Sequence, residues 1–173
     1  MGELTAWRYC PRCREDLRGD ARRVKCAACG FVAYANPKPT ATALCLDDRG
    51  RVLLGRRSIE PFFGLWDLPG GFVEEDEHPL EALRRELHEE AALEIEPLDF
   101  FGVWMDHYGG ESSAQTTLNL VWTARVAGGE PEPADDVSEL RWFSAEELPA
   151  PEECAFEMVA AVLSDWQSRH EHA

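Results

Sequence analysis

No run of about 18 apolar residues occurs anywhere in the 173-residue chain, which excludes a helical membrane span. The opening MGELTAWRYCPRCRED also lacks the apolar core of a secretory signal. The expectation is a soluble, cytoplasmic protein. Positive charge is scarce too: 17 Lys and Arg stand against 33 Asp and Glu, a net charge of −16. The deficit is uneven. Residues 1–38 carry eight Lys/Arg against four acids, a net of +4, so the remainder holds −20. A body this acidic repels nucleic acid and phosphorylated metabolites alike unless divalent cations screen it, so metal and phosphate-bearing substrate form one joint expectation. Internal repeats and low-complexity tracts are absent, which leaves one domain-sized body and a small appendage.

Six cysteines are present, and four of them fall in pairs: Cys10-Pro-Arg-Cys13 and, twelve residues later, Cys26-Ala-Ala-Cys29. Two CxxC turns supply the four thiolates of a tetrahedral Zn²⁺ site, and a closed four-Cys shell has no open position for a reacting water, so its role reads as structural. A segment of about 30 residues needs such a staple to fold. Disulfides are the alternative, disfavoured where thiols are kept reduced. The pattern resembles a zinc ribbon. Its arginines are the one place where nucleic acid could bind, but Trp7, Tyr9, Phe31 and Tyr34 are its only aromatics and the structural role is preferred. Cys45 and Cys154 read as small buried hydrophobes.

Asn36-Pro37-Lys38-Pro39 marks a boundary, because successive prolines suit neither a helix nor a central strand. The expected division is 1–36 as ribbon and 37–173 as main domain. Thr40 to Leu46 reads as a buried strand, Asp47 to Gly50 as a turn and Arg51 to Arg57 as the hairpin partner. Alternation sends Arg56 and Arg57 to opposite faces, so at most one readily reaches a site on the sheet; Arg56 is the candidate for a phosphate contact, and pairing with the body's abundant acids is an equally good reading. Phe62, Phe63 and Trp66 suit packing better than stacking on a base. Leu98–Met105 and Thr116–Ala127 have strand composition and are joined by a loop from Asp106 to Glu111. Glu139–Phe143 reads as a last strand, and Phe156–Trp166 as an amphipathic helix.

The stretch Gly70 to Leu93, GGFVEEDEHPLEALRRELHEEAAL, carries the chemistry. Pro79 suits a first helical turn, and Leu80, Leu83, Leu87 and Ala91 form a stripe for packing. Glu86, Glu89 and Glu90 lie three and four apart, so they share one face and repel one another. Between Glu74 and Glu96 only Arg84 and Arg85 offset ten carboxylates. Hard oxygen donors without His or Cys favour Mg²⁺ or Mn²⁺. A solvated acidic face is the plainer explanation of an EXXEE string taken alone.

From Gly71 the string runs Gly, five residues, Glu77, seven residues, Arg85-Glu86-Leu87, one residue, Glu89-Glu90, one residue, Ala92-Leu93. This resembles the Nudix box, departing from it only at Ala92, where the family has a glycine at the helix exit. Ala there in a left-handed conformation would cost roughly 1 kcal/mol. The resemblance implies an α+β fold, a Nudix α/β/α sandwich with a mixed β-sheet, preceded here by the small ribbon. It also implies metal-dependent hydrolysis of the pyrophosphate in a nucleoside diphosphate linked to another group, ADP-ribose-like or a nucleoside triphosphate. Carried over, Glu86, Glu89 and Glu90 match metal ligands, the Gly70 carbonyl matches a further ligand, Glu77 supports the cluster and Arg85 orients the glutamates. Glu89 is the first choice of base, with Glu111, Asp135, Asp136 and Glu139 as loop candidates. Trp104 and Tyr108 are placed to stack on a base, with Trp104 equally suited to the core, and Glu111 is a further substrate candidate.

A ribbon ahead of a Nudix domain also resembles the NADH pyrophosphatases, which act on NADH and NAD-capped RNA. Those carry an SQPWPFP-type signature after the box, and DFFGVWMDHYGGESSAQ lacks it. That activity is therefore the second choice, with a non-catalytic nucleotide-sensing module as a third and a Nudix-fold isomerase disfavoured for want of matching His and Cys ligands. The expected partner is a nucleotide-type small molecule, not a membrane, and the reading leaves room for a homodimer.

Overall fold

The computed structural model describes residues 3–110, 113 and 115–170. A short 3-10 turn at Glu3–Ala6 precedes β1 (Leu17–Gly19), β2 (Arg23–Cys26) and β3 (Val32–Tyr34), which pair antiparallel in that order. A second, seven-stranded sheet is built from β4 (Lys38–Leu46), β5 (Val52–Arg57), β6 (Trp66–Asp67), β7 (Gly70–Phe72), β8 (Glu94–His107), β9 (Thr116–Gly128) and β10 (Val137–Phe143). Its main path runs β10-β5-β4-β9-β8, with β6 on β5 and β7 on β4. β4 and β9 run parallel while the other pairs are antiparallel, so the sheet is mixed.

Alternation along the strands explains the layers. Ala41, Ala43 and Cys45 of β4, with Leu53 and Ala124, face helix α1 (Pro79–Ala91) and bury its Ala82, Leu83, Leu87 and Ala91. The intervening Leu44, with Val52, Leu54 and Val121, faces helix α2 (Glu157–His170) and buries Met158, Val159, Val162, Leu163 and Trp166. Two helices on opposite faces of one sheet give the α/β/α sandwich. Cys45 and Cys154 are both buried and free, and burial pushes their thiols up to about 12 and about 11.

Several boundaries differ from the sequence reading. Pro39 lies inside β4, paired with Leu118, because its carbonyl accepts from Val73 on the flank where β7 has ended and its missing N–H breaks no ladder. The β4–β5 hairpin shares one register pair, Leu46 with Val52, since β7 takes over the flank of β4. β8 starts at Glu94, straight after α1, and passes through Pro97 by means of register shifts, while Asp106 and His107 continue it rather than opening a loop. Asp106 reaches further: its Oδ2 accepts from the Met158 N–H at 2.8 Å and so caps the start of α2.

Helix α1 is closed at both ends. His78 Nδ1 accepts from the Leu80 N–H at 3.2 Å, while Glu81 accepts from the His78 N–H. At the exit Ala92 takes φ 54° and ψ 28°, with its N–H donating to the His88 carbonyl and the Leu93 N–H to that of Leu87. The left-handed turn is made without the glycine it favours. Ala92→Gly is therefore expected to stabilise the protein by about 1 kcal/mol, read as a raised urea midpoint at unchanged m-value; a lowered midpoint would contradict the strain argument.

Candidate active site

Helix α1 presents its acids on one side, yet they meet different surroundings. Glu90 is only 8% exposed. Its Oε2 accepts from the Gly70 N–H at 2.9 Å, and among the described residues no cation pairs with it. Burial pushes this carboxyl well above the ordinary range against the pull of the Gly70 N–H, and the charges of Asp136, Asp67 and Glu86 reinforce the rise. Glu86 is raised by burial as well, with Arg85 working the other way. The Glu89 side chain, by contrast, is 49% exposed.

Arg85 ties the acids together. Its Nε and Nη2 donate to the two oxygens of Glu77 at 2.9 Å, and its Nη1 donates to Glu86 at 2.7 Å and to Glu89 at 3.1 Å. Nη2 also donates to the Phe72 carbonyl at 3.1 Å, which fastens the helix to β7. The bidentate pair holds the Glu77 carboxyl at about 2. Two glycines leave space where a side chain would clash, Gly70 against β4 and Gly71 against an acid. Gly70 has φ 141°, and a Cβ on it would lie 2.3 Å from the Ala41 carbonyl oxygen; a Cβ on Gly71 would lie 2.5 Å from the Glu86 carboxylate.

Glu86, Glu90 and Arg85 line a cleft of about 260 Å³. Its other walls come from Thr40 and Thr42 on β4, Asp67 on β6, Thr117 and Asn119 on β9, the Asp135-Asp136 loop, Arg57, Tyr108, and Phe156 and Met158 at the start of α2. Burial lifts Asp67 to about 6, with Arg57 at 3.1 Å holding it down. The cleft thus concentrates carboxylates that raise one another, and its oxygen-only donor set fits a hard dication. The glutamates are not gathered into a cage: among the described residues, the only group of three or more His, Cys, Asp or Glu whose ligand atoms lie within 4.8 Å of one another is the four cysteines.

The remaining candidates are scattered. Tyr108 lines the cleft, stacked on Phe156 at 5.7 Å and tilted against Phe72 at 5.5 Å. Trp104 does not; its ring stacks on Phe101 at 5.8 Å and packs against the α2-side core. Trp66 is buried in that core. Arg56 points away, pairing with Glu139 at 3.2 Å with its side chain 47% exposed, and it is Arg57 that reaches the cleft. Glu111 lies outside the described residues.

In the ribbon, Cys10 and Cys29 Sγ lie 3.6 Å apart and Cys13 and Cys26 Sγ 3.5 Å apart. Disulfide sulfurs would be at about 2.05 Å, whereas the edge of a tetrahedron with Zn–S bonds of about 2.3 Å is about 3.8 Å. Each pair is followed by a positive-φ residue, Arg14 at 67° and Gly30 at 75°, whose N–H turns back to the carbonyl of the first cysteine, Cys10 or Cys26. Burial disfavours the Cys10 thiolate, but the Cys13 and Arg12 N–H groups and the neighbouring thiols outweigh it and bring the pKa to about 7. The four sulfurs fit a zinc ion.

A family model described as the NUDIX domain matches residues 36–162. The chain belongs to this family. As a Nudix protein it is 30% identical over 149 residues to the NAD-capped RNA hydrolase NudC of Stutzerimonas stutzeri, a match that covers 83% of this chain and 50% of NudC. The chain therefore spans about half the length of the NudC relatives it matches. It is 32% identical over 116 residues to the ADP-ribose pyrophosphatase of Methanocaldococcus jannaschii, covering 67% of each. The crystal structure of a Nudix hydrolase from Nitrosomonas europaea superposes with a TM-score of 0.77 at 26% identity, over 96% of this chain and 94% of that one.

Sequence reasoning about this Nudix chain missed Arg57, Asp67, Asn119 and Phe156. Two adjacent arginines on a strand part company by alternation, but nothing local says which one turns inward. Asp67 stands three residues before Gly70, where a flag for acids flanking the Gly-Gly turn would have caught it. Asn119 and Phe156 carry no local signal at all.

Proposed function

We propose that this protein is a metal-dependent pyrophosphohydrolase that cleaves a nucleoside diphosphate linked to another group, ADP-ribose-like or a nucleoside triphosphate. The observation that carries the reading is Glu90, a carboxylate buried beside Asp67, Glu86 and Asp136 with a single backbone N–H for a partner. Such a site is incomplete without a cation. Glu86, Glu89, Glu90 and the Gly70 carbonyl would hold Mg²⁺ or Mn²⁺, with Glu77 in support; when bound, such ions neutralise a pyrophosphate and acidify bound water.

The chain's own groups then have defined tasks. Arg85 holds Glu86 and Glu89 at set positions and keeps Glu77 ionised. Glu89, half-exposed and tethered to Arg85, is assigned the proton from the attacking water, and Asp136 inside the cleft is the second candidate. Glu139 is engaged by Arg56 and drops behind both. The ribbon of residues 1–36 is assigned one structural zinc, and four thiolates suit a reducing compartment such as the cytoplasm. No helix among the described residues is long and apolar enough to cross a membrane.

The test is hydrolysis of ADP-ribose, NADH, diadenosine polyphosphates, sugar nucleotides and damaged nucleoside triphosphates with Mg²⁺ or Mn²⁺. At least one is expected to be cut between its phosphates, only when metal is present. Binding without cleavage across the panel would instead support a nucleotide sensor. The NudC match and the paired cysteines favour a second reading, cleavage of NADH or NAD-capped RNA, which a clear preference for NADH over ADP-ribose would establish.

A further inference from the structure

One face of the β8–β9 ribbon is apolar and, among the described residues, largely bare. Register pairs Phe100 with Trp122, Val103 with Leu120 and Met105 with Leu118, and residues opposite one another in an antiparallel pair point to the same side. That side is the one α1 occupies, since Trp122 packs with the core beneath the helix, as do Ala124 and Ile95. Toward the hairpin end the helix no longer covers the sheet, and of the six residues only Trp122 joins either core. Phe100, Val103 and Met105 are 54%, 48% and 57% exposed. A sheet face turned to water normally carries polar side chains; this one carries none.

Three side chains about half exposed and three more partly covered leave on the order of 400 Å² of apolar surface. Packed on a second copy of itself, the face would remove about 800 Å² of apolar area from water. At the roughly 65% apolar share usual in homodimers, that corresponds to a total of about 1,200 Å², where stable specific interfaces begin. Two further features favour a second copy over a foreign partner. β8 is the edge of the sheet, and from Gly102 to His107 it has no Lys, Arg or Pro and no register shift, the devices that keep an edge from pairing. A closed contact removes that liability, because nothing is left over to recruit more chains. A basic partner, moreover, would be drawn to the acids of a chain of net charge −16 and not to six uncharged residues.

We propose that the chain forms a two-fold dimer in which the β8–β9 face, centred on Val103 and Leu120, packs on the same face of a second copy. The contact is isologous, so each copy covers its partner's exposed apolar residues with its own. It does not depend on what the cleft hydrolyses.

Sedimentation velocity on the full zinc-loaded chain tests the dimer. Between about 1 and 100 µM the wild type should pass from monomer to dimer and no further, as befits an interface at the small end of the range. Raising NaCl from about 0.05 to 0.5 M should strengthen the dimer severalfold, because salt screens the repulsion between two acidic chains and leaves apolar burial intact. Val103→Lys should raise the dissociation constant at least about a hundredfold, although it makes each chain less negative and so lessens repulsion. Ile59→Lys, a change at an exposed apolar residue outside the sheet, should stay within about twofold of wild type. The thermal midpoint of dilute Val103→Lys reports whether it folds. If it does not, amide exchange in residues 100–107 of the wild type decides, since it should slow as the chain is concentrated over the same interval. A wild type that stays monomeric to about 100 µM would overturn the proposal. So would a ladder of larger species, exchange that ignores concentration, or a dimer that survives in folded Val103→Lys or weakens with salt.

Discussion

Glu90→Gln is expected to lower turnover on the order of 10³-fold while leaving the metal-free protein at least as stable as wild type. The substitution keeps the shape of the side chain and an oxygen for the Gly70 N–H, but removes a charge that burial and three neighbouring acids disfavour. In most buried sites loss of a charge breaks a pair; here it relieves repulsion. The same physics sets the pH dependence. A carboxyl whose folded pKa is raised contributes stability that is fully present below its unfolded pKa and is lost as pH rises through the folded value. Asp67 sits at about 6, and Glu86 and Glu90 are raised as well. Glu77, held at about 2, acts in the opposite sense, but its window closes at acid pH.

The metal-free protein should thus melt at a higher temperature at pH 5 than at pH 8. Mg²⁺ should narrow the gap from the pH 8 side, and Glu90→Gln should narrow it without metal. Calorimetric melts at the two pH values check the signs, and steady-state hydrolysis checks the turnover. Near-normal turnover in Glu90→Gln, or a wild-type melting temperature that climbs between pH 5 and pH 8 without metal, would sink the assignment of Glu90.

Removal of the ribbon's zinc is the second large effect. Structural zinc supplies about 10–16 kcal/mol of apparent binding free energy in small isolated fingers, and a three-stranded sheet with strands of three and four residues has little else to hold it. Cys26→Ser is expected to abolish binding of one zinc per chain. Amide exchange in residues 8–35 should accelerate by orders of magnitude, while β4, β9 and α1 keep their protection. Elemental analysis and hydrogen exchange by mass spectrometry read the two parts separately. Unaltered exchange in 8–35 after stoichiometric zinc loss would show that the ribbon stands without metal.

What the sequence made legible follows the range of the interactions involved. The helix itself and most of its buried stripe, Leu83, Leu87 and Ala91, are set by spacing within one helix and appear in the structure, whereas its acids diverge, Glu86 and Glu90 into the cleft and Glu89 outside it. The cysteine cluster was legible for the same reason, since two short turns and a fixed interval suffice to bring four sulfurs together. The far wall of the cleft was not legible. Arg57, Asp67, Asn119 and Phe156 come from four separate segments, and the strand pairings, β6 on β5 included, together with the seating of α2 bring them to one cavity. Trp104 suited a stacking platform and the core equally from sequence, and the structure decides for the core, where Phe101 and its neighbours claim the ring. Strand limits slipped at Pro39 and Pro97, where local proline rules yielded to a missing neighbour and to shifted register.

Asp106 grips the first turn of α2 from β8, and that turn and the residue before it bring Met158 and Phe156 into the cleft. The far end of the polypeptide is consequently coupled to occupancy of the cavity by simple linkage: a ligand that settles against Phe156 tightens the seating of the whole terminal helix, and a loosened helix weakens the ligand by an equal factor. Trp166, sunk in the core two turns further on, would register that seating as a change in fluorescence, giving a built-in optical reporter that needs no turnover.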